Sequence, residues 1–97
     1  MTVYKYSLKH TTKFKKDYKL AKKRGLDIEL LKWVIDELLQ GHELDAKYLD
    51  HPLHGEYEGF NECHIQPNWL LIYGKDEEKL ILTAVRTGTH SDVFKNF

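Results

Sequence analysis

The chain has a single cysteine, Cys63, which excludes an internal disulfide framework and fits a reducing, cytoplasmic setting. Its longest apolar run is five residues, Trp69-Leu70-Leu71-Ile72-Tyr73, far short of a bilayer span, so no membrane partner is expected. The opening MTVYKYSLKH lacks the apolar core of a secretory signal, and export is not expected. No internal repeat, low-complexity tract or Pro/Gly/Ser-rich linker interrupts the sequence. At 97 residues, one domain over 1–97 with a modest core is the expectation. Also missing are a Gly-rich phosphate loop, a Gly-x-Ser-x-Gly elbow and a His-Glu-x-x-His helix, which removes nucleotide-dependent and serine-hydrolase readings. A zinc centre has only His51, His54 and His64 in its favour, without a cysteine cluster or a recognised ligand spacing.

What is present is aromatic and unevenly charged. A hydrophobic fraction of 41%, with six Tyr, four Phe and two Trp, indicates a folded chain. The net charge of zero conceals a division. Residues 1–25 hold nine Lys/Arg against one acid, Asp17, and residues 26–97 hold six against fourteen. Such asymmetry fits a surface that meets an anionic partner, and it equally fits a solvated helix face.

Aromatic alternation over 3–8 suits a first strand. Thr11 or Thr12 can cap a helix whose Phe14, Tyr18 and Ala21 share a face, with Gly25 past its end. The lysines at 13, 16, 19, 22 and 23 fall mostly off that face. Asp27 can cap a second helix with a stripe of Ile28, Leu31, Ile35, Leu38 and Leu39, ended by Gly41. A His-rich polar loop spans 42–56, and strands are expected at 57–65, 69–73 and 80–86. The fold class is therefore α+β: a strand and a helical hairpin on a four-stranded, mostly antiparallel sheet, with a short C-terminal helix. The sheet face away from the hairpin is expected to be partly open.

Strand alternation sorts the candidate residues. Cys63 and Ile65 point one way, which makes Cys63 a core residue, while Glu62 and His64 point the other. Leu80, Leu82, Ala84 and Arg86 share a face with Arg86 at the rim, where it can meet His64, and His90 can fold over beside them. Histidine, arginine and aromatic rings suffice for cleavage of RNA without a cofactor. The ribose 2′-OH must lose a proton, the leaving 5′-oxygen must gain one, and the phosphate's added charge must be stabilised. Histidine, with an ordinary pKa of about 6.5, serves as base or acid, and arginine offers a planar fork of donors to phosphate. Trp69, Tyr73 or Phe94 could stack on an unpaired base, a contact worth roughly 1–3 kcal/mol. Lys13, Lys16 and Lys19 on the first helix could track the RNA backbone.

Three motifs in order, DHPLHG (50–55), HIQPNWLLIY (64–73) and RTGTHSDVF (86–94), resemble the YafQ-type mRNA interferase toxins of the RelE/ParE superfamily. The resemblance implies a metal-independent, ribosome-dependent endoribonuclease that cuts translating mRNA and is held inactive by a cognate antitoxin. DNA binding by the toxin–antitoxin complex, through the antitoxin, is a further expectation. It implies that His51 and His64 are active-site histidines, Arg86 the transition-state arginine and His90 the general acid, with Asn68, Trp69 and Phe94 positioning substrate. One position departs from the pattern: Pro67-Asn68-Trp69 stands where family members often have Pro-Asp-Trp. Asn68 can only hydrogen-bond, so an orienting role is expected there. Two other readings stay open: a ParE-like, non-catalytic inhibitor of DNA gyrase, and an RNA-binding domain with 13–24 as its anion-binding face.

Overall fold

A computed structural model describes residues 3–94. Its elements are β1 (Ser7–His10), α1 (Thr12–Lys23), α2 (Ile28–Leu39), β2 (His51–Pro52), β3 (Asn61–Gln66), β4 (Trp69–Asp76), β5 (Ile81–Gly88) and α3 (His90–Phe94). The helix starts are where side-chain acceptors stand. Thr11 Oγ1 accepts from Phe14 N at 2.9 Å, and Asp27 Oδ1 accepts from Leu30 N at 3.1 Å. Gly25, at φ +76°, turns the chain between the two helices in a conformation that costs glycine little.

The sheet runs β1-β5-β4-β3-β2, with β1 parallel to β5 and the other pairs antiparallel. It has five strands rather than the expected four, because His51 and Pro52 pair with Glu62 and Asn61 instead of lying in a loop. A two-residue strand is too short to show alternation. The first strand also begins later than 3–8. Lys5 N and Tyr6 N both donate to Leu39 O at the end of α2, so the aromatic stretch seals that helix and pairing starts at Ser7.

The helical hairpin covers one sheet face. Phe14, Ala21, Leu31, Val34, Ile35 and Leu38 pack there with Cys63, Ile65, Trp69, Leu71, Tyr73, Leu82 and Ala84. Burial pushes the Cys63 thiol far above its usual range, in keeping with an inert core residue. The opposite face is more covered than expected. Leu70, Ile72 and Val93 form a second small core, flanked by Leu53, Tyr57, Phe60, Val85 and Phe94. Tyr57, expected in a strand, instead lies in a 3-10 turn, Gly55–Tyr57, that arches over this face.

One irregularity in β5 decides where Arg86 goes. Tyr73 pairs with Ala84 and Ile72 with Arg86, so Val85 is an extra residue, a β-bulge. Simple alternation aligns Arg86 with Leu82 and Ala84, which are core residues under the helices. The bulge places Arg86 opposite Ile72 of the second core instead.

Candidate active site

Two rungs of the sheet, two residues apart and so on one face, carry the candidate residues. In the first, His51 pairs with Glu62, Glu62 with Ile72, and Ile72 with Arg86. In the second, His64 pairs with Leu70 and Leu70 with Gly88, after which the chain enters α3 at His90. Strand pairing thus joins residues 51, 62 and 86, and period-two alternation adds His64 on the same face.

Glu62 is the centre of the cluster. It is 3% exposed, and its Oε2 lies 3.0 Å from His51 Nε2 and 3.7 Å from His64 Nε2. His51 Nδ1 meets Pro52 O at 3.1 Å, so that ring is held at both nitrogens. The His64 and His90 rings meet edge to face with centroids 5.9 Å apart, and the Phe94 ring lies 5.7 Å from His90. Tyr57 supports this end. Its ring meets Phe94 edge-on at 5.6 Å, and its hydroxyl donates to Val93 O at 3.3 Å. Sequence reasoning gave no role to Glu62 or Tyr57. Alternation had set Glu62 beside His64, but nothing in the sequence showed that β2 would bring His51 to the same carboxylate.

The arginine is tied down. Arg86 Nε donates to Asp17 Oδ2 at 2.7 Å, and Nη2 donates to Asp17 Oδ1 at 3.2 Å and to Asp92 O at 3.3 Å. The Asp17 carboxylate raises the Arg86 pKa further, so its charge is permanent. α3 is fixed by reciprocal bonds: Thr89 N donates to Asp92 Oδ2 at 3.0 Å and Asp92 N to Thr89 Oγ1 at 3.1 Å. Arg24 adds an ion pair to Asp92 at 2.8 Å, and chiefly for that reason the Asp92 carboxyl is held down at about 2. Gly88 is required by this close packing. Its φ is +152°, and a Cβ there would sit 2.9 Å from Asp92 Cβ.

His51, His64, His90 and Phe94 therefore come together, with Arg86 on the same face. Trp69 does not join them. It is 2% exposed, packs in the core under the helices, and donates Nε1 to Thr87 Oγ1 at 2.9 Å. Its ring has no face available to a base, a correction to the stacking role expected of it. Tyr73, the other internal candidate, is fully buried and donates to Asp50 at 2.6 Å. Asn68 is exposed at the β3–β4 turn, and Lys13, Lys16 and Lys19 are exposed on α1. Lys19 also rims a groove of about 520 Å³ between α1 and α2, with Lys15, Lys22 and Lys32 around an apolar floor that includes Phe14 and Ile35.

The fold also assembles a ligand set that linear spacing did not reveal. One ligand atom each of His51, Glu62 and His64 lies within 4.8 Å of the others. Glu62 Oε1 and His64 Nδ1 are buried without hydrogen-bond partners among the described residues. Two imidazoles and a carboxylate suit zinc or copper.

A two-layer α+β domain with a histidine–carboxylate cluster on the sheet face opposite its helical hairpin has the architecture of a small bacterial toxin. The chain belongs to the YafQ family, described as bacterial toxins of type II toxin–antitoxin systems, whose sequence model matches residues 6–95. The mRNA interferase toxin YafQ of Escherichia coli (strain K12) is 41% identical over 88 residues, covering 90% of this chain and 94% of that protein. The crystal structure of the E. coli DinJ-YafQ toxin-antitoxin complex contains a similar chain, with a TM-score of 0.85 and 36% identity, covering 93% of this chain and 98% of that one. A metal-bound toxin from Helicobacter pylori has a TM-score of 0.87 and 39% identity, covering 92% of this chain and 99% of that one. Among the described residues, no helix is long and apolar enough to cross a membrane.

Proposed function

We propose that the chain is the toxin of a type II toxin–antitoxin pair, an endoribonuclease that cleaves translating mRNA in the cytoplasm and so inhibits protein synthesis. The observation that carries this reading is the convergence of His51 and His64 on the buried Glu62, with the His90 ring against His64, on one face. Binding alone, as in gyrase inhibition, does not call for three clustered titratable rings. In the reaction, His64 takes the proton from the 2′-OH, His51, held at both nitrogens by Pro52 O and Glu62, anchors the cluster beside it, and His90 delivers a proton to the leaving 5′-oxygen. Arg86, held by Asp17, offers the phosphate its Nη1 edge beside the Tyr57 hydroxyl. Phe94 stacks on a base, and Asn68 orients the chain as it leaves.

A 97-residue chain has little room to enclose an mRNA, so substrate must be held from outside. A translating ribosome can supply that orientation, and effective molarity gained this way is worth orders of magnitude in rate. Purified protein is expected to cut ribosome-bound mRNA at least about 10²-fold faster than the same RNA free in solution. Equal rates on both would remove the ribosome from the reading. The cognate antitoxin, the partner type seen in the DinJ-YafQ complex, is matched by the lysine-rimmed apolar groove between α1 and α2, which suits an acidic amphipathic segment.

A second reading, favoured by the ligand set and the metal-bound H. pylori relative, is that a copper or zinc ion on His51, Glu62 and His64 blocks the site. Copper(II) is expected to bind with nitrogen hyperfine structure in its paramagnetic resonance spectrum and to arrest cleavage until a chelator is added. Undiminished binding to a His51→Asn/His64→Asn variant would refute the assignment.

A further inference from the structure

We propose that Asp17 is a positioning residue for RNA cleavage, acting through Arg86; this rests on the reading of Arg86 as the phosphate-binding arginine. Asp17 is the single acid among residues 1–25, in a segment with nine Lys/Arg. It lies three residues after Phe14 and four before Ala21, the two buried residues of α1, so it faces the fold while the lysines face out. Its carboxylate accepts three hydrogen bonds: two from Arg86 and one from Thr87 N at 3.1 Å. The side chains of the pair are only 17% and 13% exposed, which limits screening by salt.

A guanidinium has five N–H donors. Asp17 and Asp92 O hold the Nε–Nη2 edge of Arg86, and the Tyr57 hydroxyl also interacts with the guanidinium, so a phosphate oxygen would meet the Nη1 edge beside Tyr57. An arginine held along one edge enters the reaction already oriented, and does not lose rotamer freedom when substrate arrives. The Asp17 charge also offsets that of Arg86, so affinity for the ground-state RNA comes chiefly from the lysines of α1. The same helix thus presents the backbone-tracking charge and aims the arginine. A purely structural Asp17, tying α1 to β5, would affect folding but leave the turnover of folded molecules unchanged.

These two roles separate in single-turnover cleavage of ribosome-bound mRNA measured over a range of toxin concentrations. Asp17→Asn keeps an acceptor for Thr87 N but removes the charge. It is expected to lower the maximal rate at least about tenfold without raising the half-saturating concentration. Asp17→Glu keeps the charge with one more methylene and is expected to lose at least about threefold, but less than Asn. Neither substitution is expected to slow Arg86→Ala further. An unchanged or faster maximal rate in a folded Asp17→Asn, or a full loss again in the Arg86→Ala background, overturns the proposal. If Asp17→Asn does not fold, Asp17→Glu carries the test, and an unchanged rate there overturns it equally. Full activity in Arg86→Ala alone would instead remove the reading of Arg86 on which the proposal rests.

Discussion

Replacing His90 with alanine is expected to slow mRNA cleavage by roughly 10²–10⁴-fold while leaving a folded, antitoxin-binding protein. His90 is exposed at the start of α3 and is a member of neither core; its ring contacts are to His64 and to Phe94 at the edge of the second core. Its removal opens no cavity, so the change in stability is expected to stay within about 0.5 kcal/mol. The rate loss has a chemical origin. Without His90 the 5′-oxygen departs as an alkoxide or borrows a proton from water, and proton transfer from a positioned side chain is worth that range. Single-turnover cleavage together with a thermal melt tests both halves of the statement. A folded His90→Ala variant with full activity would leave the histidine cluster without a catalytic purpose and would revive the gyrase-inhibitor reading.

Trp69→Ala is expected to fail for the opposite reason. Removing a fully packed indole costs about 3–5 kcal/mol, a large share of the roughly 5–15 kcal/mol that stabilises a typical domain. The indole also satisfies Thr87 Oγ1, which itself donates to Leu70 O at 2.7 Å and so links β4 to β5 inside the core. Urea unfolding is expected to show the loss directly, with toxicity falling because little folded protein remains. Were Trp69 a base-stacking residue, the variant would keep its stability and lose only roughly 1–3 kcal/mol of substrate interaction. Trp69→Phe, which fills most of the space but has no donor, is expected to fall between wild type and alanine in stability and to retain cleavage.

These two residues show where the sequence was informative. The caps at Thr11 and Asp27 and the glycine turn at Gly25 follow from local chemistry, and the structure has them in place. The inward set of Cys63 and Ile65, and the outward set of Glu62 and His64, follow from period-two alternation within one strand. Trp69 was misread because its neighbours belong to a catalytic-looking motif, whereas its surroundings depend on helices far away in the chain. The pairing of His51 with Glu62, and the grip of Asp17 on Arg86 across |i−j| = 69, are long-range facts with no local signature. The bulge at Val85 was equally silent, since one extra apolar residue in an apolar strand does not disturb its composition.

That bulge has a bearing on how reliably the two halves of the site meet. β4 contributes no candidate catalytic side chain, yet it is the ruler between the histidines of β2 and β3 and the arginine of β5. In a regular antiparallel pair, a two-residue slip of β5 along β4 would keep every inward side chain inward, and so would cost little in apolar burial. It would still carry Arg86 about 7 Å past His64, at roughly 3.4 Å per residue. An unpaired residue at 85 fits the ladder at one place only, and a slipped hairpin would have to form its kink elsewhere. Val85, which has no part in the chemistry, is the stop that lets this ruler be read in a single way.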